Sequence, residues 1–98
     1  MDGAFERAFT ANLYGHLTPP LRAHLISEML RVADELIILD QLASSDRFTE
    51  GPEVRQLVDG SSFTIHECYF TVDRLRQELG DGEVLMEGPF FAIIRRHR

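Results

Sequence analysis

The chain has 98 residues, of which 44% are hydrophobic and 27% charged, a composition typical of one small folded domain and not of a disordered segment. Ten basic and sixteen acidic residues give it a net charge of −6, which disfavours a nucleic-acid backbone or an anionic membrane as its partner. The single cysteine, the lack of a secretion signal at the start and a longest apolar run of five residues lead us to expect a cytoplasmic protein without a membrane span.

The first forty residues have the pattern of a strand, a helix and a second strand. Apolar and polar residues alternate over 5–12, which predicts a strand. Thr18 and the two prolines after it predict the start of a helix over 19–33, with Arg22 on its polar side. The apolar stripe of that helix consists of Leu21, Leu25, Met29 and Val32.

The run of four branched apolar residues from Leu36 to Leu39 predicts a strand over 35–40. Such a run is typical of a strand buried on both faces, as in a parallel sheet. With the preceding strand and helix it forms the pattern of a right-handed crossover unit. The alternative is the end of a long helix, but the β-branched Ile37 and Ile38 favour the strand.

The second half of the chain begins with a polar connection over 41–61, with a possible helical turn around 53–58. An extended segment follows over 62–70. Thr71 as a cap and Gly80 as a stop predict a second helix over 72–79, whose buried stripe consists of Val72, Leu75 and Leu79. The last elements are a pair of strands over 83–95, joined through Gly88 and Pro89.

These elements, taken in order, resemble the C-terminal half of a class I S-adenosylmethionine (SAM)-dependent methyltransferase domain. Residues 5–17, which end in His16 and Leu17, look like that family's fourth strand and the loop after it, and residues 35–40 look like its fifth strand. The stretch 59–65 is similar to the run before the last helix, and 82–96 to the closing strand pair. The resemblance implies one partial α/β domain over 1–98, with a partial Rossmann-like methyltransferase sheet of about four strands, the last one antiparallel, and two main helices.

The resemblance also implies what the chain lacks. A complete domain of this family begins with three further strands, which carry a glycine-rich loop and an acidic residue for SAM. The late glycines of this chain lie in turns and do not replace that loop. We therefore expect SAM to bind the complete domain, and this chain alone to be inactive and to bind no cofactor.

Five residues lie at or near the ends of predicted extended segments, and loops at strand ends are where ligands of open α/β sheets bind. The resemblance implies that Asn12 and Tyr14 contact the cofactor and that His16 acts as a general base on the acceptor. Asp40 and Tyr69 are candidates for binding the substrate. For each there is a structural alternative: loop geometry around Gly15 for the first three, turn capping for Asp40 and core packing for Tyr69.

No metal site is predicted, because His66, Glu67 and Cys68 have no second Cys/His pair nearby with ligand spacing. Three hypotheses for the function remain open. The chain is a methyltransferase fragment whose acceptor is a small molecule, one chain of a split enzyme whose N-terminal half is a separate partner, or a non-catalytic α/β module that self-associates or pairs with a partner through its open sheet edge.

Overall fold

The computed structural model describes residues 4–43 and 49–98. Part of the connection predicted over 41–61, at 44–48, lies outside these residues. In chain order the described residues form β1 (Phe5–Ala11), a 3-10 turn (Tyr14–His16), α1 (Pro19–Val32), β2 (Ala33–Gln41), β3 (Thr49–Gln56), β4 (Ser62–Tyr69), α2 (Val72–Glu78), β5 (Glu83–Glu87) and β6 (Phe91–His97). Within these ranges no helix combines the length and apolarity needed to cross a bilayer.

Four strands form the main sheet, in the order β1-β2-β6-β5. β1 and β2 are parallel, while β6 runs antiparallel to both of its neighbours, β2 and β5. The α/β class, the sheet of four strands, the antiparallel last strand and the two helices were all predicted from the sequence, and all are confirmed.

The hydrophobic core lies on one face of this sheet. It joins Ile26 of α1 and Leu75 of α2 to the sheet residues Leu36, Ile38 and Ile94, and all but Ile26 are fully buried. The stripe predicted for α2 is confirmed, because Leu75 and Leu79 are buried and Val72 packs against the core. Both helices therefore cover the same face.

The opposite face of the sheet corrects a prediction. β2 was expected to be buried on both faces, yet burial alternates along it: Leu36 and Ile38 are buried, whereas Ile37 and Leu39 are only partly so. Phe5 and Phe9 of β1 lie on the same face of the sheet as Ile37 and Leu39, and each is 61% exposed. The physical reason is that α1 and α2 pack on one side only, which leaves an apolar sheet face partly uncovered.

Helix α1 is rotated relative to its predicted apolar stripe. Leu21, expected in the stripe, is 53% exposed, while Arg22, expected on the polar side, is 1% exposed. Leu25 and Met29 do pack against the core. The stripe was wrong at its first turn because Arg22 finds enough charged partners to be buried.

The connection predicted over 41–61 contains a strand that the sequence did not reveal. β3 pairs antiparallel with β4 from Thr49 opposite Tyr69 to Gln56 opposite Ser62, so the helical turn expected around 53–58 is wrong. Its polar, charged sequence resembles a loop because neither of its faces lies in the main core. A bridge between Leu42 and Phe70 attaches this hairpin to the carboxyl end of β2.

Candidate functional site

Three segments meet at the carboxyl ends of β1 and β2: the 3-10 turn after β1, Asp40 near the end of β2, and the end of β4. Asp40 accepts hydrogen bonds from the backbone N–H of Gly15, at 2.9 Å, and of Gln41, at 2.8 Å. Its side chain is buried, and this burial raises the pKa of the carboxyl group, against the lowering effect of the two N–H donors. Asp40, predicted to bind substrate, is thus committed to holding the turn in place.

Gly15 is required by this close approach. A Cβ atom there would lie 2.8 Å from the carbonyl oxygen of Cys68 and 2.9 Å from Oδ1 of Asp40. The turn after β1, the end of β2 and the end of β4 are therefore packed backbone against backbone. A glycine so crowded cannot cradle a ligand.

Tyr14, predicted to contact a cofactor, points into the protein. Its ring is fully buried and stacks on Phe70 with 5.6 Å between the ring centroids. Its hydroxyl donates to Oε1 of Glu78 at 2.6 Å. Burial raises the pKa of this phenol, and the bond to Glu78 raises it further. In this chain Tyr14 anchors the turn from inside.

A buried guanidinium links the helices to the hairpin. Arg22 donates from Nε and Nη2 to Glu78, at 2.9 and 3.1 Å, and from Nη1 and Nη2 to Glu50, at 2.6 and 3.2 Å. Nη1 also donates to the carbonyl oxygen of Leu17 at 2.9 Å. Bonds to both carboxylates raise the pKa of Arg22 despite its burial, and the bond from Arg22 is the largest cause that lowers the pKa of Glu50.

Ring side chains contact both ends of this network. The guanidinium carbon of Arg22 lies 5.7 Å from the ring centroid of Tyr14 and 5.5 Å from that of Phe70, within the range of cation–π contacts. Nε2 of His66 lies 2.6 Å from Oε2 of Glu50. The turn, α1, α2 and the hairpin are thereby connected through one buried charge cluster.

His16 lies at the surface of the same region. Its side chain is 42% exposed, and its Nδ1 lies 3.3 Å from Oε2 of Glu67 and 3.2 Å from the carbonyl oxygen of His66. Glu67 is almost completely buried and also accepts from Nη2 of Arg55 at 3.2 Å. His16 thus has both solvent access and a carboxylate partner.

Tyr69 lies on the β3–β4 hairpin beside a small cavity. Its hydroxyl donates to Oε2 of Glu53 at 3.1 Å, and its pKa is raised, mainly by burial and by this bond. The cavity, of about 230 Å³, is lined by Thr49, Glu50, Gly51, Pro52, Glu53, Glu67 and Tyr69. Glu67 therefore borders the cavity and contacts His16 as well.

Asn12 directly follows β1 and has a left-handed backbone conformation, with φ of 59°. Its N–H donates to the carbonyl oxygen of Leu39 at 3.0 Å, and its side chain is exposed. Asparagine tolerates this conformation better than most residues. The residue serves the turn geometry, and its side chain stays available at the carboxyl end of β1.

Cys68 carries no sign of reactivity. It is fully buried, and the loss of solvent raises the pKa of its thiol to about 12, so the reactive thiolate is suppressed. Over residues 4–43 and 49–98, no group of three or more His, Cys, Asp and Glu side chains could hold a metal ion.

His16 stays a predicted site residue, whereas the charged residues of the same region were not predicted. Arg22 and Glu78 lie on helices, and Glu50 and Arg55 lie in a segment predicted as a connection. A polar alternation over 49–56, with Glu50 and Pro52 on one side and Glu53 and Arg55 on the other, was the available signal for a strand. No local pattern revealed that Glu67 would be buried against His16.

The fold matches solved structures over about half of their length. No protein-family model and no curated protein matches the sequence. The DhpI–SAM–HEP complex superposes with a TM-score of 0.72 at 19% identity, over 97% of this chain and 52% of that one. The DhpI–SAH complex gives 0.67 at 20% identity over 99% of this chain and 50% of that one, and the N-terminal domain of EvdMO1 with SAH bound gives 0.58 at 19% over 98% and 48%. The chain therefore shares the α/β fold of these structures, and it spans about half of their length.

Proposed function

We propose that the chain forms the acceptor-side half of a SAM-dependent methyltransferase domain, in which the complete domain transfers a methyl group to a small polar molecule. The observation that carries the proposal is a structural match: nearly the whole of this chain superposes on about half of each of several chains that were solved with SAM or SAH. The order β1-β2-β6-β5, with a parallel pair followed by an antiparallel β6, supports assigning it to the C-terminal half that the sequence resembles.

The residues present fit only one side of a SAM site. The crowded Gly15 has no room for a ligand, and Gly82 is filled in the same way, since a Cβ there would lie 2.6 Å from Cγ2 of Ile94. Neither glycine offers the open backbone that the methionine end of SAM requires. Asn12 and His16 at the carboxyl end of β1 would border the cofactor's reactive end. SAM would supply the methyl group, and the remaining contacts would have to come from other strands.

The uncovered parts of the sheet support the need for a complementary half. Among the described strands β1 pairs only with β2, so its other edge has free backbone groups. The face that carries Phe5, Phe9, Ile37 and Leu39, together with the ion pair of Arg7 and Glu35, is partly exposed, although parallel strands are normally covered on both faces. A further parallel strand would pair with the free edge of β1, and a further helix would cover the exposed face.

The acceptor in this proposal is a small polar molecule. The cavity beside Tyr69 is smaller than the ~300–1,000 Å³ typical of pockets for drug-sized ligands. Carboxylates of Glu50, Glu53 and Glu67 line it, which favours a ligand with hydroxyl or amine donors over an anion. Asp40, by contrast, has both oxygens bonded to backbone N–H groups and is not part of this acceptor site.

A titration with SAM tests the proposal. The isolated chain should show no saturable binding by calorimetry at micromolar SAM. A fusion in which the unmatched half of the DhpI chain precedes Phe5 should show a SAM-dependent rise in its melting temperature. Phe5→Ser combined with Phe9→Ser should weaken that response, whereas Phe63→Ser, at a phenylalanine on the separate hairpin, should leave it unchanged. Micromolar binding by the isolated monomer, or no response by the fusion, contradicts the proposal.

The second candidate function is a non-catalytic module that self-associates through β1. The free edge and the two exposed phenylalanines favour it, since such edges invite strand pairing. Repulsion between two chains of net charge −6 opposes it. Sedimentation velocity of the isolated chain distinguishes the two: a stable dimer that dissociates on Phe5→Ser/Phe9→Ser favours the module, and a monomer favours the methyltransferase half.

A further inference from the structure

We propose that Glu67 positions His16 as a general base, so that the two residues form a carboxylate–imidazole pair at the carboxyl end of the sheet. The inference rests on the proposed function, and it adds a residue with a defined role and the class of acceptor. The acceptor group is one that loses a proton, a hydroxyl or a protonated amine. Glu67 borders the acceptor cavity, and in the proton transfer it acts through His16 as a positioning residue.

The geometry selects one ring nitrogen. Nδ1 of His16 faces two acceptors, Oε2 of Glu67 at 3.3 Å and the carbonyl oxygen of His66 at 3.2 Å. A nitrogen that faces acceptors only is favoured as the N–H donor, which leaves the lone pair of the neutral ring on Nε2. Within residues 4–43 and 49–98 no hydrogen bond or ion pair to Nε2 of His16 is formed, and the side chain is 42% exposed.

Glu67 is well placed to hold the ring. Its side chain is only 5% exposed, so its carboxylate is fixed by packing and by Arg55, whose Nη2 donates to Oε2 at 3.2 Å. The backbone of the adjacent His66 provides the second contact to the same nitrogen. β4 therefore supplies both acceptors for Nδ1, and the packing of Gly15 against Cys68 holds β4 against the turn that carries His16.

The proton transfer is simple to balance. The acceptor's O–H or N–H bond breaks, its electron pair stays on the acceptor atom, and Nε2 of His16 gains the proton. The resulting imidazolium lies between the acceptor and Glu67, whose negative charge stabilises it. The charged groups around the ring are Glu67 and Arg55 of the hairpin and Asp40 of β2, which interacts electrostatically with both His16 and Glu67. The proton then passes to solvent from the exposed ring.

The tautomer of His16 tests the pair in the isolated chain, without cofactor or acceptor. Nitrogen-15 NMR at a pH where the ring is neutral should show the Nδ1–H form in roughly tenfold or greater excess, because Nδ1 can donate to the carbonyl oxygen of His66 and lies next to the carboxylate of Glu67. His24, exposed on α1, serves as the internal reference, because no hydrogen bond to its side chain is formed within the described part of the chain. An Nε2–H form of His16, or a mixture equal to that of His24, overturns the proposal.

Variants distinguish the effect of the Glu67 carboxylate on the His16 tautomer from the effect of the other charges nearby. Glu67→Gln should reduce the excess of the Nδ1–H form severalfold, and Glu67→Asp should restore part of it. Glu53→Gln, which removes another carboxylate beside Arg55, should leave the His16 tautomer unchanged. Equal effects of the Glu53 and Glu67 variants overturn the assignment of Glu67. Because SAM is absent, failure here leaves the methyltransferase proposal standing, and failure of the SAM titration leaves the tautomer result standing.

Discussion

Arg22→Met should destabilise the chain by about 3–5 kcal/mol, the usual cost of removing one partner from a buried ion pair. Methionine retains an unbranched stem against Tyr14 and Phe70, but it leaves the carboxylates of Glu50 and Glu78 without their shared cation. Small domains have a total stability of only about 5–15 kcal/mol, so a large part would be lost. Urea unfolding followed by circular dichroism measures the change.

Two controls establish the cause of that loss. Adding Glu50→Gln and Glu78→Gln to Arg22→Met removes the uncompensated charges and should recover at least about 1 kcal/mol. Arg31→Met removes an exposed cation that pairs with Glu28 and should cost at most about 1 kcal/mol. An Arg22→Met variant as stable as the Arg31→Met variant would refute the role assigned to the cluster.

The same cluster predicts a pH dependence. Arg22 lowers the pKa of Glu50 below its ordinary value of 4.5. The stabilisation from this depressed pKa is therefore fully present above pH 4.5 and is lost as the pH falls through the lower, folded-state pKa. In Arg22→Met the folded-state pKa of Glu50 should return towards its ordinary value. The stability difference between the wild type and Arg22→Met should therefore become smaller as the pH falls from 7 to 3. A constant or widening difference would contradict this.

Gly15→Ala should cost about 1–3 kcal/mol, the range for overpacking a tight site. The new methyl group would approach the carbonyl oxygen of Cys68, a backbone atom that cannot rotate away, and Oδ1 of Asp40. The turn must then move away from β4, which would also separate His16 from Glu67. The free energy of unfolding and the His16 tautomer should therefore both change.

Gly88→Ala is the matched control for Gly15→Ala. A Cβ at Gly88 would meet its nearest neighbour, the carbonyl oxygen of Phe91, at 3.5 Å, an ordinary van der Waals contact. This variant should be neutral or slightly stabilising, because alanine restricts the unfolded chain more than glycine does. If both alanine variants behave alike, the close approach at Gly15 has no energetic consequence.

The sequence by itself determined the local elements that have a strong periodic signal. The branched run of β2, the capping residue Thr71 with the stripe of α2, and the last strand pair were all predictable, since each depends on neighbours within a few residues. Thr71 does accept a hydrogen bond from the N–H of Arg74, at 3.1 Å. His16 was predicted as a site residue because it follows a predicted strand, and that role stays a prediction.

Only the tertiary structure decided which charged residues are buried and which partners they have. Glu50 lies 28 residues and Glu78 lies 56 residues after Arg22 in the sequence. Glu67 is comparably far from His16, so no local pattern contains these pairs. The strand β3 was missed because its polar residues are paired with β4 and not buried in the main core. Local periodicity reports backbone conformation, whereas the burial of a charge depends on long-range partners that compensate for its lost hydration.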